Sequence, residues 1–350
     1  MSVAPFDHRV LSGLLGDPVL AALFTVEAEL EAMLRFELAL ARAEEAVALL
    51  PPGTGDALEK AIGGFEPDRN ALKAATARDG VCIPELVRQW RAAAGDDLGP
   101  CLHVGATSQD VVDTALVLRL KPALDEIEVR LERLLAGFDD MAARFGDRTI
   151  MAHTRMKRAL PLRCAERIAR WRKPLAGLLA DMPSLRARLL RLQFGGAVGT
   201  LDRLGDKAAA VSAALAGALG LEDAGCWHDD RAPFADYAAW LARLSGALGK
   251  FGQDVALLAQ DEVAAIRLKG GGGSSAMPHK RNPVAAEALV TLARFNATLV
   301  GAMHQALVHE NERSGAAWTL EWMVLPQMTV AAGTGLRLAV ELVDAIEEIG

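Results

Sequence analysis

The segment with the most evident chemistry runs from Gly270 to Pro283: four glycines, then Ser274, Ser275, Ala276, Met277, Pro278, His279, Lys280, Arg281, Asn282 and Pro283. Glycine and serine alone read as a flexible linker, but a linker has no need of the stretch from Met277 to Asn282. A mobile Gly-rich loop can close over a substrate, exclude water and bring a hydroxyl against a carbon acid. Ser274 is the candidate. Because serine is a weak base, its oxyanion form needs backbone N–H groups, the N-terminus of the following helix and Lys280 to stabilise it. Asn282 followed by Pro283 predicts an N-cap and first-turn proline opening that helix. A phosphate loop would end in Gly-Lys-Ser/Thr, which is missing.

Two further segments are polar between apolar runs. His103 to Asp110 precedes a long helical pattern; Thr107 and Ser108 are ordinary capping residues, and hydroxyls at a helix N-terminus also suit a carboxylate. His153 to Pro161 carries His153, Arg155, Lys157 and Arg158 within six residues, either a solvated face or an anion pocket. His304 and His309 lack the spacing and neighbouring carboxylates of a helical zinc site, so no metal is expected. The cysteines at 82, 101, 164 and 226 form no Cys-x-x-Cys pair, which fits a reducing cytoplasm rather than a disulfide scaffold.

The positioning elements are helices. The chain has 350 residues, 51% hydrophobic and 24% charged, with a net charge of −7: a globular composition with ample core, unsuited to sequence-blind nucleic-acid binding. Steps of three and four link Leu124, Ile127, Leu131, Leu134, Phe138, Met141 and Phe145. The same steps link Leu175, Leu178, Met182, Leu185, Leu189 and Leu192, and again Tyr237, Leu241, Leu244, Leu248, Phe251, Val255 and Leu258. This is the seam of long helices packed side by side. With further patterns over 283–312 and from Thr319 toward residue 350, five long helices are expected, kinked or broken at Pro122, Pro174 and Pro183. Strand signals are nearly absent. Residues 1–95 read as a separate domain of shorter helices and 96–350 as the bundle. Helices this long ask for partners beyond their own chain, so a homo-oligomer is expected. The N-terminus lacks the pattern of a secretory signal, and no uninterrupted apolar stretch reaches the length of a membrane span.

The stretch Gly273 to Pro283 resembles the signature loop of the fumarase/aspartase superfamily, and the segments around Thr107 and Ser108 and around Thr154 resemble its other two active-site regions in the same chain order. The resemblance implies an all-α long-helix bundle and a homotetramer with each site assembled from three chains. It implies Ser274 as the catalytic serine, with Lys280 and Asn282 at substrate positions beside Ser275 and Met277. The stretches His103–Thr114, Gln193–Thr200 and Trp318–Trp322 are most similar to the superfamily's intramolecular-lyase branch, which closes a tricarboxylate diene into a lactone without cofactor. His103, Thr107, Ser108, Gln109, His153, Thr154, Arg155, Lys157 and Gln193 then become candidate contacts for a small tricarboxylate. Relatives that expel an amine or alkoxide carry a histidine after the threonine aligned with Thr154; here Arg155 stands there and His153 lies on the other side. Arginine stays protonated, so it serves as a clamp for a carboxylate rather than as a proton donor. Lys157, where many relatives have glutamine, adds charge. Relatives also commonly continue into a further small C-terminal domain that this chain is expected to lack. Two alternatives are a lyase acting on adenylosuccinate or argininosuccinate, with His153 or His103 as the acid, and a helical scaffold without turnover.

Overall fold

In the computed structural model, which describes residues 3–273, 275–277 and 279–350, the three apolar seams are buried throughout and, Leu192 apart, lie on helices. The helices are α1 (Ser12–Leu15), α2 (Pro18–Ala22), α3 (Val26–Ala46), α4 (Thr54–Ile62), α5 (Arg69–Asp79), α6 (Ile83–Leu98), α7 (Ser108–Phe145), α8 (Cys164–Leu189), α9 (Ala208–Leu219), α10 (Ala232–Leu258), α11 (Val284–Gln305) and α12 (Gly315–Ala345). The five long ones, α7, α8, α10, α11 and α12, form the expected bundle: α10 packs on α8, α11 and α12, and α7 on α8 and α12. At 1.5 Å per residue the 38-residue α7 spans about 57 Å. Its C-terminal part carries one seam of the bundle core, while Val111, Val112, Ala115 and Leu118 in its first turns join a second core with α3, α4, α6 and α9. Phe6 and Leu20, near the N-terminus, lie in the bundle core.

Three expectations are corrected. Pro122 sits inside α7, and Pro174 and Pro183 inside α8, without ending either helix; burial of the seams on both sides outweighs the roughly 3 kcal/mol that an interior proline costs. Leu192 is buried but lies beyond the end of α8. Strands are present: β1 (Thr149–Thr154) and β2 (Lys157–Arg163) form an antiparallel hairpin, and β3 (Ile266–Leu268) pairs with β4 (Ile346–Ile349). The hairpin escapes a pattern search because β2 is almost wholly exposed and only Ile150 of β1 is buried, leaving no apolar alternation to detect. Its two-residue turn, Arg155 and Met156, has φ of 49° and 65°, the sign pattern of a type I′ turn built without glycine.

The helix α11 is long and apolar enough, by composition, to cross a bilayer, although only 28% of its apolar window is buried. It carries Glu287 and Arg294, and its Asn296 is wholly buried, donating to Ser245 Oγ (2.7 Å) and the Met328 carbonyl (3.2 Å). One face therefore belongs to the bundle and the opposite face is open.

Candidate active site

The first turn of α7 is the organising element. Thr107 is its N-cap, as the sequence predicts, and its N–H donates to Asp110 Oδ2 at 2.9 Å. Thr107 and Ser108 are half-buried, and the N–H groups of this first turn give the helix end a partial positive charge. Asp110 is wholly buried and accepts four further hydrogen bonds, from Gly195 N and Gly196 N (2.9 Å each), Gln193 Nε2 (3.3 Å) and His228 Nε2 (2.8 Å). It thereby pins the 193–196 loop to the helix N-terminus. Gly196 is required there: its φ is +68°, and a Cβ would stand 2.7 Å from the Gly105 carbonyl oxygen.

Charges accumulate beneath this turn. Burial opposes protonation of His228, but its bond to Asp110 and the neighbouring Cys226 thiol outweigh it and push the imidazole up to about 9. Burial likewise raises the Cys226 thiol, yet the adjacent His228 brings it below the usual range. One turn further on, Asp113 meets Arg231, which is 2% exposed. Its guanidinium donates to both Asp113 oxygens (2.6 and 3.1 Å) and both Glu321 oxygens (2.8 and 2.5 Å), and lies 5.0 and 4.9 Å from the Trp227 and Phe234 ring centres. Trp318 Nε1 adds a bond to Asp113 at 2.8 Å. Burying this cation is supportable only because two carboxylates share it. The loop between α11 and α12 closes over the same turn: Arg313 donates to Gln109 Oε1 (2.9 Å) and the Ala197 carbonyl (3.2 Å).

The candidate residues sort by location. Gln109 and Gln193 are wholly buried with their amides engaged, Gln109 Nε2 on the His228 carbonyl (2.9 Å) and Gln193 Oε1 accepting from Trp227 N (2.9 Å). His103 precedes the turn and is bound to Glu37 through Nδ1 at 2.6 Å. Ser275, Met277 and Lys280 are exposed on the 270–283 loop, whereas Ser274 lies outside the described residues. The base of that loop is closed by Gly272 and Asn282, which exchange backbone hydrogen bonds of 2.9 Å. Asn282 is thus not the N-cap. Pro283 takes that position and α11 begins at Val284, because the Asn282 backbone is already committed to the bridge. His153 and Thr154 end β1, Arg155 is in the turn and Lys157 begins β2; all but the half-buried His153 are exposed. Among the described residues no hydrogen bond or ion pair joins the hairpin tip to the α7 N-terminus.

Sequence reasoning gave no role to His228, Arg231 or Arg313. The available signal was Trp227, His228 and Arg231 within five residues, an unusual density of polar and aromatic groups just before a helical seam. The His309 side chain is 1% exposed, with Nε2 3.8 Å from Glu321 Oε1 and no hydrogen bond to either ring nitrogen among the described residues. Nor do the described residues hold a group of three His, Cys, Asp or Glu placed for a metal ion.

A long-helix bundle with a polar helix N-terminus and a separate Gly-Ser loop defines a class of helical lyases. The lyase family model matches residues 67–297, and the chain belongs to that family. It is 38% identical over 333 residues to the 3-carboxy-cis,cis-muconate cycloisomerase of Pseudomonas aeruginosa, covering 93% of this chain and 72% of that protein. Identity to the enzyme of the same name from Bradyrhizobium diazoefficiens is 36%, over 97% of this chain and 76% of the relative. The crystal structure of 3-carboxy-cis,cis-muconate lactonizing enzyme from Pseudomonas putida superposes with a TM-score of 0.91 at 34% identity, over 97% of this chain and 77% of that one.

Proposed function

We propose that this chain is a cofactor-independent cycloisomerase, an intramolecular lyase, interconverting 3-carboxy-cis,cis-muconate and its carboxymuconolactone in protocatechuate breakdown. The observation that carries the reading is 36–38% identity, over more than nine-tenths of the chain, to proteins bearing that name. In the lactonising direction a carboxylate oxygen of the substrate adds to the conjugated double bond and forms the C–O bond. The displaced electron pair settles beside a second carboxylate, and Ser274 delivers the proton to carbon; in reverse Ser274 is the carbon base. The attacking or departing group is itself a stable anion, so no acid is needed on that side, in keeping with Arg155 following Thr154.

Each candidate then has a part. Thr107, Ser108 and His103 receive a carboxylate at the N-terminus of α7, with the N–H groups there favouring negative charge. Gln109 and Gln193, being buried, act by holding that turn and the 193–196 loop in place. Lys280, Ser275, Met277 and Asn282 line the closing loop, with Lys280 stabilising the charge that develops in the transition state. His153, Thr154, Arg155 and Lys157 clamp the remaining carboxylates from the hairpin. That hairpin makes no bond to the α7 turn of its own chain among the described residues, so we take it from a second copy in a homotetramer whose sites are shared between chains. The open face of α11 supports such an assembly. We read residues 1–95 as the N-terminal helical domain and 96–350 as the bundle domain.

The test is an ultraviolet assay of the purified chain with 3-carboxy-cis,cis-muconate, adenylosuccinate or argininosuccinate, EDTA being present throughout. Loss of the diene chromophore in the first cuvette alone supports the reading. Fumarate release from either succinyl compound replaces it with the lyase alternative, and silence in all three leaves the scaffold.

A further inference from the structure

We propose that Glu37 is a positioning residue that holds the His103 ring through Nδ1–H and leaves Nε2–H as a fixed donor for a substrate carboxylate. The inference deepens the function proposed above and rests on a polycarboxylate substrate. Glu37 is 1% exposed on α3, and its Oε1 lies 2.6 Å from His103 Nδ1. A carboxylate oxygen only accepts, so this contact places a proton on Nδ1. The other nitrogen, Nε2, has no partner among the described residues and is not a buried atom. His103 adopts φ +60°, a left-handed backbone that a non-glycine residue holds only when its surroundings enforce it. The contact to Glu37 is one restraint on the residue in that conformation.

A second carboxyl stands behind the first. Glu44, two turns along α3, is wholly buried and neither of its oxygens has a hydrogen-bond partner among the described residues. Burial, and then the charge of Glu37, push it up to about 8, so at neutral pH it holds its proton and Glu37 is left as the negative charge facing His103. The other charges acting here come from other parts of the chain: Arg91 on α6 opposes protonation of His103, Asp110 on α7 favours it, and Arg203 acts on Glu44. Burial also disfavours the imidazolium, but Glu37 prevails and His103 lies above the usual imidazole range. A ring so held offers both a positive charge and an aligned N–H. That combination suits a carboxylate, and it would serve a neutral substrate far less well.

The test is nitrogen NMR of the histidine rings, with steady-state kinetics, on wild type, Glu37→Gln and Glu37→Asp. The wild-type His103 midpoint should lie above the ordinary imidazole value of 6.5, and Glu37→Gln should lower it. KM for 3-carboxy-cis,cis-muconate at pH 7.5 should rise about tenfold or more, consistent with loss of one charge-assisted bond, while kcat changes less than about threefold. Glu37→Asp should restore part of it, and lowering the pH should narrow the gap. A wild-type midpoint at or below 6.5, a reading that requires no variant to fold, overturns the proposal. So does a His103 titration unmoved by Glu37→Gln, or a kcat loss with unchanged KM. Failure of wild type to turn over the muconate overturns the function proposed above, and the NMR result still decides whether Glu37 governs the ring.

Discussion

The buried His228–Asp110 pair should make stability fall as the pH rises through the neutral range. The imidazole moves from an ordinary 6.5 to about 9 in the folded chain. Below 6.5 folded and unfolded states both bind the proton and the contribution is fully present. Between 6.5 and 9 the unfolded chain releases it while the folded chain keeps it, so stability is lost with rising pH and the contribution is gone above 9. At roughly 1.4 kcal/mol per pH unit that interval amounts to about 3 kcal/mol. Cys226 works in the opposite sense. Its lowered thiol gains stability as the pH climbs toward the ordinary thiol value of 9.0, partly masking the histidine. The comparison is therefore made in Cys226→Ser, with and without His228→Gln. Because Cys226 is one of the two partners that raise His228, about 3 kcal/mol is the ceiling and about 1–3 kcal/mol the expected difference. Urea unfolding from pH 6 to 9.5 is the assay, and groups such as Glu44 titrate in both variants and cancel. If the two curves fall in parallel, His228 is not held protonated by Asp110, and the electrostatic account of the α7 turn is wrong.

Other outcomes follow from the same geometry. Glu44→Gln removes a carboxyl that folding forces to stay protonated. Its stability relative to wild type should improve by a few kcal/mol between pH 4.5 and pH 8, the window over which wild type loses the contribution, as read by urea midpoints at the two pH values. Arg231→Met strands the buried Asp113 and Glu321 carboxylates together and should cost about 3–5 kcal/mol in thermal or urea unfolding, whereas an exposed control such as Arg78→Met should leave the midpoint nearly unchanged. Ser274→Ala should reduce kcat with the muconate by about 100-fold or more while leaving the unfolding midpoint unchanged. Arg155→His should raise KM by about tenfold or more with little effect on folding, since the side chain is exposed in the hairpin turn; equal saturation curves would remove it from the site.

What was legible in the residues is what is encoded locally. Leu124 to Phe145 and Tyr237 to Leu258 announce their helices because the three-and-four step depends only on neighbours along one helix. Thr107 announces its cap for the same reason, since its capping partner Asp110 is three residues away. The β1–β2 hairpin was not legible, because β2 is exposed on both faces and β1 buries only Ile150, so neither strand writes an alternation. Pro122 and Pro174 misled because their local cost is overruled by burial of residues from distant segments.

The sequence alone determined an all-α bundle, its seams, the helix N-terminus at Thr107 and the distinctive 270–283 loop, each specified by residues within a few turns of one another. Only the tertiary structure decided which charges are buried and what they touch. His228 lies 118 residues from Asp110, Arg231 the same distance from Asp113, and Trp318 is 205 residues from Asp113. Whether an ionisable side chain is solvated or locked depends on low-dielectric surroundings that other helices supply, and no spacing rule along the chain carries that information.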